Sequence, residues 1–167
     1  SEKIHQLCGG RRIVLMEVCG GHTAAIFRFG LRDLLPEGIE LISGPGCPVC
    51  VTPKRTVDEA LVCARRDDTT VATFGDMMRV PGNQGSLEQA RSEGARVKVI
   101  FGAGQALELA RQNPEDHVVL VGIGFETTAP TSAAVVLQAQ SEGLKNFHLL
   151  SAHKLMPPAM EWLVTSG

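Results

Sequence analysis

The chain has 167 residues, 44% of them hydrophobic but only 4% aromatic, with one Trp and no Tyr. That is enough to bury an aliphatic core as one domain or two small ones. The formal net charge of −2 gives no electrostatic footprint for nucleic acid or an anionic membrane, and no apolar run approaches the roughly 20 residues needed to span a bilayer.

The opening SEKIHQLCGGRR lacks the apolar stretch of a secretory signal. Five cysteines are an odd number without a regular disulfide framework, so the chain reads as a reduced cytoplasmic protein with buried or catalytic thiols. It stops at LVTSG directly after an incipient helix, as a fragment would.

Six apolar, β-branched runs follow one another: RRIVLMEV (11–18), IELIS (39–43), TTVATF (69–74), RVKVIF (96–101), HVVLVGI (117–123) and NFHLLS (146–151). Continuous apolar runs of this length suit strands buried on both faces of a parallel sheet. Each is followed by a helix-compatible segment: AAIFRFGLRDLL, TVDEALVCARR, SLEQARSEG, GQALELARQN, TSAAVVLQAQSEG and PPAMEWLVTSG. Thr52-Pro53 and Ala129-Pro130 mark helix starts, Ser86 with Gln89 forms a capping-box pattern, and Gly94 and Gly143 stand where C-terminal caps belong. Repeated βα units predict an α/β fold with parallel strands. Six units form either one doubly wound six-stranded domain or two three-stranded halves, 1–95 and 96–167, meeting at a cleft; the division into halves is favoured.

The reactive residues cluster just after strands: CGGHT after the first, GPGCPVC after the second, GDMMRVPG after the third, GFETTAP at the end of the fifth and AHKLMPP after the sixth. The carboxyl ends of parallel strands share one sheet edge, where ligands bind. FGAGQ after the fourth strand is glycine-rich but carries no reactive side chain. No Walker loop or dinucleotide fingerprint is present; GAGQAL and GIGFET each lack a required glycine.

Cys19 and His22 enclose two glycines. A thiolate and an imidazole at this spacing can share a transition metal, or the imidazole can pair with the thiolate. A buried cysteine beside a capping His is the ordinary alternative. Cys47 and Cys50 have the spacing of a zinc half-site and equally of a redox dithiol, and Cys19, His22, Cys47 and Cys50 together would make a complete zinc set. Cys63, at an apolar helical position, reads as core, and Cys8 as incidental. Asp76 and Arg79 of GDMMRVPG are suited to pairing with each other, to orienting His22 or to holding a ligand. Glu126 stands at an apolar strand end, and His153 and Lys154 add proton-transfer or cationic groups. Met77, Met78 and Met156 read as packing.

With these motifs assembled, MEVCGGHT (16–23), SGPGCPVC (43–50), FGDMMRVPG (74–82), GFETTAP (124–130) and SAHKLMPPAME (151–161) closely resemble, in order, the signature segments of the HypD family of hydrogenase maturation factors. The resemblance runs over nearly the whole chain. It implies two Rossmann-like halves facing a cleft, and a cytoplasmic scaffold on which the Fe(CN)2CO centre of nickel–iron hydrogenases is assembled. It implies that Cys19 is an iron ligand shared with the small chaperone HypC, with His22 supporting that site. It further implies that Cys47 and Cys50 are a redox-active pair and that HypE delivers cyanide; Asp76 and Glu126, from the residues themselves, join Cys47, Cys50 and His22 as the expected catalytic set. Members of that family are longer and end in a region whose cysteines hold a four-iron four-sulfur cluster; those ligands are absent from this chain. IFGAGQALELA stands where the family tends to show a Tyr-Ser pair and an Asp, and Ala24 stands where a second His is common. Two other functions fit the residues alone: a zinc-stabilised interaction module, and a thiol–disulfide oxidoreductase acting on protein substrates.

Overall fold

The computed structural model describes residues 2–44 and 46–166. Pro45 of the GPGCPVC motif lies outside the described residues, as do Ser1 and Gly167. The chain forms two compact units, Ser1–Cys47 and Pro48–Gly167.

The first unit contains α1 (Glu2–Cys8), β1 (Ile13–Glu17), α2 (Gly20–Arg28), a 3-10 helix (Leu31–Leu34) and β2 (Ile39–Ser43). β1 and β2 pair in parallel, from Ile13 opposite Ile39 to Glu17 opposite Ser43. The predicted helix AAIFRFGLRDLL is broken in two, because Gly30 takes a left-handed φ of 60° between α2 and the 3-10 helix. Cys8, which the sequence left without a role, is 3% exposed, and its thiol donates to the Arg11 carbonyl at 3.1 Å.

The second unit contains α3 (Lys54–Ala64), β3 (Thr69–Phe74), a 3-10 helix (Gly75–Arg79), α4 (Leu87–Ser92), β4 (Val97–Ile100), α5 (Ala103–Gln112), β5 (His117–Gly122), α6 (Ala129–Ser141), β6 (Phe147–Ser151) and α7 (Met156–Thr165). Its sheet has the order β4-β3-β5-β6 with every pair parallel. Residue 95, where the spacing of the runs suggested a division, lies between α4 and β4 inside this unit. β3 bonds to β4 on one side and to β5 on the other, so residues on both sides of position 95 share one sheet.

Alternation along β5 explains its unbroken apolar run. Val119 and Val121 face a core built with Val57 and Leu61 of α3 and Leu87 of α4. Val118 and Leu120 face the opposite core, with Ala103, Ala106 and Ala110 of α5 and Val135 of α6. Each large aliphatic side chain so buried contributes about 1.5–3 kcal/mol. Met77 and Met78 are part of the first of these cores, as packing residues.

Helix ends follow the sequence signals. Ser86 Oγ accepts the Gln89 N–H at 3.2 Å. After α6 the Gly143 N–H reaches the Gln140 carbonyl at 3.1 Å and the Leu144 N–H reaches that of Ala139 at 3.0 Å, the bonding of a Schellman cap. The amino edge of the sheet is tied by Arg96, whose guanidinium donates to both Asp116 carboxylate oxygens at 2.6 and 3.2 Å and to the Asp67 carbonyl. Buried Asn146 spreads its side-chain amide over the carbonyls of Ala110, Asn113 and Asp116. Among the described residues, no helix is long and apolar enough to cross a membrane.

Candidate functional site

In the first unit, β1 ends at Glu17 and α2 begins at Gly20, leaving Cys19 as the helix N-cap in extended backbone, with φ −118° and ψ 120°. The Thr23 N–H and hydroxyl return to the Cys19 carbonyl at 2.9 and 3.2 Å, closing the first turn. Glu17 then reaches forward: its Oε1 accepts the Cys19 N–H at 2.8 Å and lies 3.3 Å from His22 Nδ1. The ligand atoms of Glu17, Cys19 and His22 all lie within 4.8 Å of one another. Glu17 and Cys19 are half-buried and His22 is exposed, so the group opens to solvent on its imidazole side.

A thiolate, an imidazole and a carboxylate within that span are a donor set for a transition ion, and the thiolate gives it a soft member. The Glu17 contact also bears on the imidazole. If His22 Nδ1 carries the proton toward Glu17, Nε2 is left with its lone pair, the state in which an imidazole ligates metal. Cys19 and His22 were singled out from the sequence; Glu17 was not. Its signal is a lone carboxylate closing an otherwise apolar strand, two residues before the cysteine.

GPGCPVC leaves β2 at the same edge. Gly44 donates its N–H to the Glu17 carbonyl at 2.8 Å. A Cβ on Gly44 would stand 2.9 Å from Met16 Cγ and 3.1 Å from the Glu17 carbonyl oxygen, so this close approach of the two strand ends admits only glycine. Half-buried Cys47 closes the first unit. Exposed Cys50 lies in the turn that opens the second. Thr52 fastens that turn, its hydroxyl donating to the Pro48 carbonyl at 2.9 Å and its N–H to the Val49 carbonyl at 3.2 Å.

In the second unit, Asp76, Glu126 and His153 follow β3, β5 and β6, neighbouring strands of one parallel sheet, and so stand along its carboxyl edge. Asp76 is exposed in the first turn of the 3-10 helix. Arg79 does not pair with it; the Arg79 guanidinium faces Glu88 at 3.4 Å. Glu126 accepts the backbone N–H of Met156 at 2.9 Å. His153 is half-buried, between the hydroxyls of Ser151 at 3.0 Å and Ser132 at 3.2 Å, and burial holds its imidazole below the ordinary pKa. The structure thus brings Cys19 and His22 together with Glu17, and lines Asp76, Glu126 and His153 along one edge of the second unit.

A family model described as "HypD: Hydrogenase formation hypA family" matches residues 1–167. The chain is 48% identical over 154 residues to the Hydrogenase maturation factor HypD of Escherichia coli (strain K12), a match covering 92% of this chain and 41% of that protein. It is 50% identical over 157 residues to the Hydrogenase expression/formation protein HupD of Azotobacter chroococcum mcd 1, covering 93% of this chain and 41% of that protein. The Hydrogenase maturation factor HypD of Cupriavidus necator is 44% identical over 158 residues, covering 94% and 42%. The chain therefore spans about two-fifths of the length of the curated relatives it matches.

Proposed function

Because the chain belongs to the HypD hydrogenase-formation family, we propose that it serves in hydrogenase maturation, as a scaffold that holds iron while the Fe(CN)2CO centre is built. The observation that carries this reading is the convergence of Glu17, Cys19 and His22 within 4.8 Å at the end of β1. The iron is cargo, taken up and passed on. The Cys19 thiolate is the soft donor that low-spin iron with strong-field ligands favours. His22 supports the iron from the first turn of α2, and Glu17 fixes both residues. The exposure of His22 leaves room for a second cysteine from a HypC-type chaperone, and a HypE-type protein supplies cyanide.

Cys47 and Cys50 act in this reading as a redox couple. Closing them to a disulfide releases two electrons and two protons, and the electrons serve the reductive chemistry of ligand delivery. Asp76 and Glu126 complete the proposed catalytic set from the carboxyl edge of the second unit. A cytoplasmic setting belongs to the same reading.

The test is infrared spectroscopy of the chain purified anaerobically with HypC, across the cyanide and carbonyl stretching region. Bands that vanish in Cys19→Ser are the expected result. HypC bound without bands would remove the iron-holding role while leaving docking. One zinc per chain with no HypC bound would replace the reading with a zinc-stabilised module.

A further inference from the structure

Two histidines of the second unit stand apart from every motif above. In the parallel pair β5–β6, Val118 lies opposite Phe147 and Val119 opposite His148. Side chains alternate along a strand, so His117 and His148 project from the same face of the sheet as Val119. Val119 is covered there by the core beneath α3 and α4, whereas both imidazoles, nearer the amino ends of the strands, are exposed. Their ring centroids are 5.0 Å apart, and His117 Nδ1 lies 3.0 Å from His148 Nε2.

Two ring nitrogens at this separation hold one proton between them, and a second on the facing nitrogen would set two N–H donors against each other. The His148 imidazole is accordingly held below its ordinary pKa, first by desolvation and then by the His117 charge. When each ring carries its proton on the nitrogen away from its neighbour, His117 Nδ1 and His148 Nε2 both present lone pairs to the space between them. A metal bound to both nitrogens at the ~2.0–2.1 Å of an ordinary metal–imidazole bond, with the nitrogens at this separation, makes a near-right N–metal–N angle once the rings turn their lone pairs toward it. That is the cis angle of square-planar or octahedral coordination. The neighbouring carboxylate, Asp68, is engaged by Arg66 at 3.0 Å and Thr69 at 2.9 Å. It adds negative charge near the pair without being free to ligate.

We propose that His117 Nδ1 and His148 Nε2 form a two-imidazole chelate for a divalent transition ion of the Ni2+ and Cu2+ class, on residues distinct from Glu17, Cys19 and His22. The remaining positions of such an ion are open to water or to a ligand from a partner. The second bond forms within the molecule, so the pair binds on the order of tenfold more tightly than one imidazole.

The experiment titrates the 15N-histidine-labelled chain with Ni2+, which does not oxidise thiols as Cu2+ does, and follows each imidazole by NMR. His117 and His148 are expected to respond together at one half-saturation concentration. In His148→Ala the half-saturation for His117 should rise about tenfold or more, and the reciprocal effect should appear in His117→Ala. The conservative His148→Gln, which keeps a polar side chain at the exposed edge, should behave as the alanine variant does, with the thermal midpoint held. Half-saturation for His117 that is the same in all variants would overturn the chelate and leave a cross-strand packing pair. So would an absence of response to Ni2+ at either imidazole. Both readouts concern the second unit alone, so failure of the iron-scaffold reading leaves them intact.

Discussion

The carboxylate of Glu126 accepts the backbone N–H of Met156 at 2.9 Å, bridging thirty positions of sequence. Met156 is the first residue of α7, whose N-cap Leu155 offers no side-chain acceptor. Glu126 therefore supplies the missing cap and sets negative charge at the positive end of the helix.

Glu126→Ala should loosen the first turn of α7 at a cost of about 1 kcal/mol, read as faster hydrogen exchange at Met156. Glu126→Gln keeps an oxygen acceptor and should restore most of the protection. Loss of maturation in the Gln variant with α7 protected would assign the carboxylate a chemical task beyond capping. Full function in that variant would confine it to the cap.

Glu17 offers a parallel test on the first unit. Its Oε1 serves the Cys19 N–H and His22 Nδ1 together. Losing a carboxylate that orients a ligating histidine typically costs about 10–100-fold in metal affinity. Glu17→Ala should show that loss for Co2+ binding, followed through the thiolate charge-transfer absorption, with an unchanged thermal midpoint. Equal affinity in the variant would remove Glu17 from the site.

The acid sensitivity of the fold has two windows. Burial lowers the His153 imidazole in the folded state, so the unfolded chain takes up a proton first as the pH falls. His153 therefore costs nothing above the ordinary imidazole value of about 6.5. It destabilises progressively as pH drops through that value toward the lower folded one. Hydrogen bonds from Arg66, and then from Thr69, hold the Asp68 carboxyl well below the usual carboxylate range. Its stabilisation is lost only below about pH 4. The thermal midpoint of His153→Gln should lose the His153 share of the upper part, keep the share of His148, whose imidazole is lowered as well, and keep the lower part. A midpoint in the variant that still falls through the imidazole range as in the parent would dissociate His153 from it.

Gly124 sits at φ +147°, and a Cβ built there falls on the Thr128 hydroxyl. That hydroxyl already donates toward the Phe125 carbonyl at 3.1 Å, at the start of α6. Gly124→Ala should destabilise by roughly 2 kcal/mol or more through clash and backbone strain, measured by denaturant unfolding. Adding Thr128→Ala should recover only part, since the Cβ at position 128, 2.7 Å from the added one, remains and the backbone conformation is unchanged. Complete recovery would show that the backbone strain contributes nothing.

Much of this molecule was legible because its signals are local. Apolar runs such as HVVLV mark strands buried on both faces, and Ser86 with Gln89 announces a cap that forms. Cys19 and His22 stood out as candidates because two glycines between a thiol and an imidazole have few ordinary uses, and the structure brings their ligand atoms close together. Pairing was not legible, because it is decided between segments distant in sequence. Six runs of similar length give no sign that two form one sheet and four another. Glu17 was missed for the same reason in miniature, since its role depends on the backbone turning after β1 to bring Cys19 and His22 back to it. The capping role of Glu126, from the turn between β5 and α6, likewise needs the three-dimensional return of α7.

The parallel sheet of the second unit keeps Arg96, Asp116 and Asn146 at one edge and Asp76, Glu126 and His153 at the other. Libraries of variants should therefore split cleanly according to how they are screened. Selection for soluble yield will recover lesions at the first edge and pass most of those at the second. Selection for hydrogenase maturation, under the proposed function, should recover both, and two identical lists would remove the second edge from that function.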